Sequence, residues 1–138
     1  MSTEENKAIV RYVYDLCTKK DISTLFEQYD PGYIEHSRNG DLSIEQLKAT
    51  TTMFFEAFPD SSWAVENMVG EGDLVAYQVI IKGTHKGQFM GIAPTGNRIE
   101  MVDTSIKKIT NGKLSESWGT IDSLSMMQQL GIIPKRGS

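Results

Sequence analysis

A chain of 138 residues with a formal net charge of −4 has room for one domain with its own core, taken here as 1–138, and little more. Its 14 Lys and Arg are scattered, which argues against a nucleic-acid or anionic-membrane surface. No apolar run is long enough to span a bilayer, and Met1–Lys7 is polar with no apolar stretch behind it, so the sequence reads as a cytoplasmic protein without a leader.

Ser2-x-x-Glu5 is a capping box that opens a first helix, on which Ile9, Val10, Tyr12, Val13, Leu16 and Cys17 recur at helical spacing. Cys17 is the only cysteine, so no internal disulfide can form, and its place on the apolar stripe predicts a buried, inert thiol. With only His36 and His85 beside it, no zinc pattern of usual spacing exists, and a metal-free protein is expected. Asp21 caps a short second helix that Asp30-Pro31-Gly32 stops. Tyr33–His36 is a brief extended segment before a turn at Asn39-Gly40-Asp41. Ser43-x-x-Gln46 opens a third helix carrying Leu47, Thr51, Phe54, Phe55 and Phe58, ended by Pro59.

From Ser61 the period changes to two. A strand through Trp63, Val65 and Val69 turns at Gly70–Asp73 into a second, Leu74–Lys82. Gly83–Gly96 is Gly-rich and irregular, with a short bulged strand near Gln88–Met90 and a β-turn at Ala93–Gly96. Arg98–Thr110 is a long strand, Asn111-Gly112 a two-residue type I′ hairpin, and Lys113–Ile121 its return. A helix over Leu124–Leu130 follows, and Arg136-Gly137-Ser138 reads as a cloning remnant. Three helices, a meander of about four strands and a terminal helix make an α+β architecture.

Unbroken alternation along the last strand puts Leu114, Glu116, Trp118, Thr120 and Asp122 on one face. A two-residue loop then sets Trp118 opposite Ser105, Glu116 opposite Lys107, Thr120 opposite Asp103 and Asp122 opposite Met101. Asp103 and Asp122 become diagonal neighbours, roughly 7–8 Å apart at the backbone, and two carboxylates in a partly dry pocket suit proton transfer. The other reading makes Asp122 the N-cap of the helix after it, both acids solvated, and Glu116–Lys107 a surface pair.

The stretch Glu116–Gly131, ESWGTIDSLSMMQQLG, together with GTHKG at Gly83–Gly87, GIAPTG at Gly91–Gly96 and FEAFPD at Phe55–Asp60, resembles the SnoaL-like polyketide cyclase (ester cyclase) family. The order and spacing agree over about residues 5–133. The resemblance implies a curved mixed β-sheet cone of the nuclear transport factor two and ketosteroid isomerase type, with N-terminal helices closing a mostly apolar cavity on the concave face. It implies intramolecular aldol ring closure without metal or cofactor, with the catalytic acid/base falling on Asp122. His36 resembles the family's cavity-facing His and is the second catalytic candidate. Departures are the absence of a His between Asp103 and Asp122, Ser117 where relatives commonly have His, and Gln78 where many have Arg.

Trp118, Asp103, Phe54, Phe58, Met53, Gln78 and Met90 are the candidate ligand-contacting residues, though the aromatic and Met side chains fit a core equally well. His85 and Asp60 read as turn residues and Glu100 as solvated. The leading expectation is a cofactor-independent enzyme that moves a proton on a small hydrophobic carbonyl ligand. A non-catalytic ligand-binding or association module of the same fold is the alternative. Val102, Thr104, Ile106 and Ile121, assigned to the opposite face, form an apolar set that a second copy could cover, so a homodimer is expected.

Overall fold

The three anticipated caps organise the helices. In the computed structural model, which describes residues 2–37 and 40–134, helix α1 spans Thr3–Lys19 behind a complete Ser2/Glu5 capping box. Helix α2, Ile22–Glu27, starts at Asp21, whose carboxylate accepts from the Thr24 N–H. Helix α3, Ile44–Ala57, opens on the Ser43/Gln46 box. Each cap satisfies N–H groups that the first helical turn leaves unpaired.

The strands are β1 (Tyr29–Ser37), β2 (Gly40–Ser43), β3 (Ser62–Glu71), β4 (Leu74–Thr84), β5 (Arg98–Thr110) and β6 (Lys113–Ile121), followed by helix α4 (Ser123–Gln129). They form one curved, unclosed sheet in the order β2-β1-β6-β5-β4-β3. All neighbours are antiparallel except β1 and β6, which run parallel. Three expectations change here. Asp30-Pro31-Gly32 lies inside β1, in the irregular stretch between the Tyr29 and Ile34 pairings, where a missing proline N–H is tolerated. Gly40–Ser43 is a strand, not only a turn, and Asn39 lies outside the described residues, as does Arg136-Gly137-Ser138. The expected strand near Gln88–Met90 is a single bridge between Phe89 and Ile92.

Helix α1 packs on β3 and β4, α3 on β1 and β2, and α4 on β5, so the helices cover the concave face. Val75, Tyr77, Val79 and Ile81 of β4 meet Val10, Val13, Leu16, Phe55 and Phe58 in the core. Each fully buried apolar side chain contributes about 1.5–3 kcal/mol, so this layer supplies most of the drive to fold. Cys17 is buried as expected, and loss of water pushes its thiol pKa up to about 12.

The last hairpin departs from simple alternation, and the site depends on it. Asn111 and Gly112 both have positive φ, and Thr110 pairs with Lys113 and Ile109 with Leu114, as a two-residue type I′ turn requires. A bulge follows. Lys108 pairs with Glu116, so Ser115 is the extra residue, and from there Lys107 faces Ser117, Ile106 faces Trp118, Thr104 faces Thr120 and Asp103 faces Ile121. One inserted residue turns every later side chain to the other side of the sheet. Leu114 and Ser117 therefore both point inward and are buried, whereas Trp118 and Glu116 lie on the convex face. Ile121, placed with the convex set in the sequence reading, is instead on Asp103's side. Deleting Ser115 should turn Ser117 outward and Trp118 into the core. Its thermal unfolding should lose cooperativity, and a transition as sharp as the wild type's would contradict this register.

Candidate functional site

On β5 the inward residues are Ile99, Met101, Asp103, Ser105, Lys107 and Ile109, three polar side chains inside an otherwise apolar row. The register places Lys107 beside Ser117 of β6, which stands beside Glu35 of β1. Lys107 is 4% exposed, and its ammonium donates to Tyr33 Oη at 3.1 Å and to Ser117 Oγ at 3.0 Å, with Glu35 Oε1 at 3.6 Å. Tyr33 donates in turn to Glu35 Oε1 at 2.9 Å. Burial opposes the charge on Lys107, but the phenol oxygens of Tyr77, Tyr33 and Tyr29 and the Glu35 carboxylate more than offset it, holding its pKa well above the ordinary lysine value.

Asp103, like Glu35, is partly exposed. Desolvation raises its pKa above the usual aspartate value; Lys107 and the 3.2 Å hydrogen bond donated by Ser105 Oγ pull the other way, and Glu35 adds to the rise. Beyond Ser105, Tyr77 and Tyr14 share a buried 2.5 Å hydrogen bond, and both phenols are raised first by burial. Gly119 makes the arrangement possible: a Cβ there would stand 2.5 Å from Ser105 Oγ. The concave face thus carries two carboxylates, Asp103 and Glu35, placed diagonally across β6, with one buried ammonium between their strands.

The expected partner of Asp103 is elsewhere. Asp122 caps α4, accepting from the Ser125 N–H at 3.0 Å, and its side chain is exposed. It borders an open hollow of about 550 Å³ at the β6–α4 corner with Val102, Thr104, Thr120, Ile121 and Leu124. The geometry is that of the cap reading, because the Ser115 bulge removes the register that paired Asp122 with Asp103. His36 also lies on the convex side, in register with Trp118 and stacked on it at 5.4 Å. Its ring nitrogens meet Glu116 at 2.6 Å and Asp41 at 2.9 Å, and these bonds raise its pKa, Glu116 first. Gln78 is convex as well, bonded to Asn67 and Thr104. Phe54 and Phe58 stack in the core at 4.7 Å, while Met53 and Met90 face solvent. His85 is fully buried, its Nδ1 accepting from the Thr95 N–H, and Asp60 accepts from Thr84, so both hold turns. Glu100 is exposed beside Lys82.

A family model for the SnoaL-like polyketide cyclase matches residues 7–130, which is most of the chain. The chain belongs to this family. No curated protein matches it. Among solved structures this SnoaL-like chain is similar to AclR of Streptomyces galilaeus, a candidate hydroxylase, at 27% identity and a TM-score of 0.91, covering 97% of this chain and 85% of AclR. It is also similar to IdmH of Streptomyces antibioticus, a candidate polyketide cyclase, at 27% identity and 0.80, covering 91% and 98%. A candidate SnoaL-like cyclase from a Jannaschia species is 26% identical with a TM-score of 0.84, covering 96% and 95%. These neighbours share the curved α+β cone anticipated from the resemblance.

The residues that sequence reasoning missed in this SnoaL-like chain are Lys107, Ser105, Tyr33, Glu35 and Ser117. The signal was present on β5: Asp-x-Ser-x-Lys, interrupting an apolar face, marks a polar array on the buried side. Lys107 was paired with Glu116 instead, one residue out of register. For Asp122 the cap geometry predicts that Asp122→Ala costs about 1 kcal/mol of stability and Asp122→Asn only a few tenths, measured by denaturant unfolding. An equal loss for both would overturn the cap.

Proposed function

We propose that this protein is a small cofactor-independent enzyme that binds a hydrophobic, polyketide-like carbonyl compound against the concave face and moves a proton on it, as in aldol ring closure. The acid/base we assign is Asp103, in place of Asp122. The observation that supports this reading is a partly exposed carboxylate with a raised pKa, held by Ser105 on the concave face. A carbon flanked by carbonyls is acidic enough for one such carboxylate to deprotonate, and the resulting enolate attacks a second carbonyl of the same molecule. Asp103 then returns the proton to the new alkoxide, so no net charge or redox change occurs and no cofactor is called for. A cytoplasmic setting suits a chain whose one cysteine is a buried thiol.

Proton transfer is measured directly as deuterium exchange into a β-keto ester probe. Asp103→Asn should slow exchange at least about a hundredfold, the usual scale of a general base. Because only the carboxylate form accepts a proton and burial raises its pKa, the wild-type rate should fall as pH drops through that raised value. Asp103→Asn exchanging at the wild-type rate would sink the assignment.

The alternative, an association module of the same fold, is supported by the convex face. Val102, Ile106, Trp118 and Ile34 are each about two-fifths exposed there, an apolar patch of the kind partners cover. We propose that a second copy covers it, which is compatible with either function. Light scattering at micromolar concentration should give the mass of a dimer, and Ile106→Lys should reduce it to that of a monomer. A monomeric wild type would remove this proposal.

A further inference from the structure

A buried ammonium is a costly choice. Taking the Lys107 ammonium out of water is costly even with a partner beside it, and apolar residues of similar volume often serve stability as well or better. The position needs no charge for packing: the next residue along the same face, Ile109, is apolar and equally buried, and so is Val75 alongside on β4. Yet Lys107 is fastened from two other strands, by Ser117 on β6 and by Tyr33 and Glu35 on β1. These contacts fix where the charge sits. Its row of the sheet runs Lys107–Ser117–Glu35, and Asp103 stands four residues up β5 on the same face, across Gly119 from Glu35.

We infer that Lys107 is a positioning residue of the concave-face site, a fixed positive charge that favours the carboxylate form of Asp103 against the neighbouring Glu35 carboxylate. This rests on the proposed role of Asp103. Loss of water and the Glu35 carboxylate both favour the protonated form of Asp103, which cannot serve as a base, and Lys107 opposes both. The groups that face Asp103 are Lys107 on its own strand, Tyr77 on β4, Tyr14 on α1 and Glu35 on β1. Among the described residues, β6 contributes Leu114, Ser117, Gly119 and Ile121 to this face, none of which titrates near neutral pH. Lys107 is, among the described residues, the one cation in the set. Its removal leaves Asp103 beside the Glu35 carboxylate with no cation to oppose it, whereas Ser105 can only hold one oxygen of Asp103 in place.

The test uses the whole protein without substrate, so it stands apart from any assay of activity. The Asp103 carboxyl carbon is followed by ¹³C NMR through a pH titration in wild type, Lys107→Met and Glu35→Gln. The Asp103 midpoint should move up in Lys107→Met and down in Glu35→Gln. Should Lys107→Met alone not fold, the double variant Lys107→Met/Glu35→Gln removes both charges together and leaves no unpaired carboxylate at Glu35. Its Asp103 midpoint should then lie above that of Glu35→Gln. A merely structural lysine would change the melting temperature and leave the Asp103 midpoint where it was, and that result overturns the inference. If the midpoints move as expected while Asp103→Asn keeps full exchange activity, the proposed function fails and the electrostatic coupling stands.

Discussion

Between Leu114 and Glu116 the final hairpin carries one residue more than the strand it pairs with, and that extra Ser115 decides which side of β6 meets the core. Because side chains on a strand alternate, a single insertion exchanges the two faces for everything that follows. Ser117 enters the interior and can receive the Lys107 ammonium; Gly119 falls under Ser105 and leaves it room. Trp118 and Glu116 go out to the convex surface, where they meet His36. Most of the polar array on the concave face follows from this one irregularity.

The array also explains why the two faces of the sheet differ in chemistry. Inside, hydroxyls, one ammonium and two carboxylates are linked by specific bonds, as buried polar groups must be. Outside, His36 sits between Glu116 and Asp41 on the face of Trp118, with apolar Ile106 and Ile34 in the neighbouring strands. The convex His has only partial burial, so water shares its charge, and the group ties β2 to β1 and β6 at the sheet's edge. The inner lysine has no such outlet, and its partners must supply everything that water would.

Membership of the SnoaL-like family accounts for the cone but leaves the reaction open, since two similar solved structures are described as a hydroxylase and a cyclase. The concave face of this chain carries Lys107 with its Tyr33, Ser117 and Glu35 partners, on the same face as a partly buried Asp103. A carboxylate whose proton affinity is raised by loss of water, and restrained by a neighbouring cation, is a usable base near neutral pH.

Local sequence alone determined a great deal. Capping boxes at Ser2 and Ser43, the Asp21 cap, the positive-φ Asn111-Gly112 turn and the bounds of β5 and β6 depend on neighbours a few residues apart, and each was legible. The strand at Gly40–Ser43 was not, because a four-residue edge strand draws its order from β1 and not from its own pattern. Nor was the site. Which face of β6 turns inward depends on whether Ser115 takes a place in the ladder, and nothing in the residues around it announces that it does not. That choice is made by packing: burying Leu114 and Ser117 together, three positions apart, requires the bulge between them. Alternation read from the sequence could propose Asp103 and Asp122 as a pair, but only the assembled sheet set Asp103 inside, over Lys107, and Asp122 outside at the head of a helix.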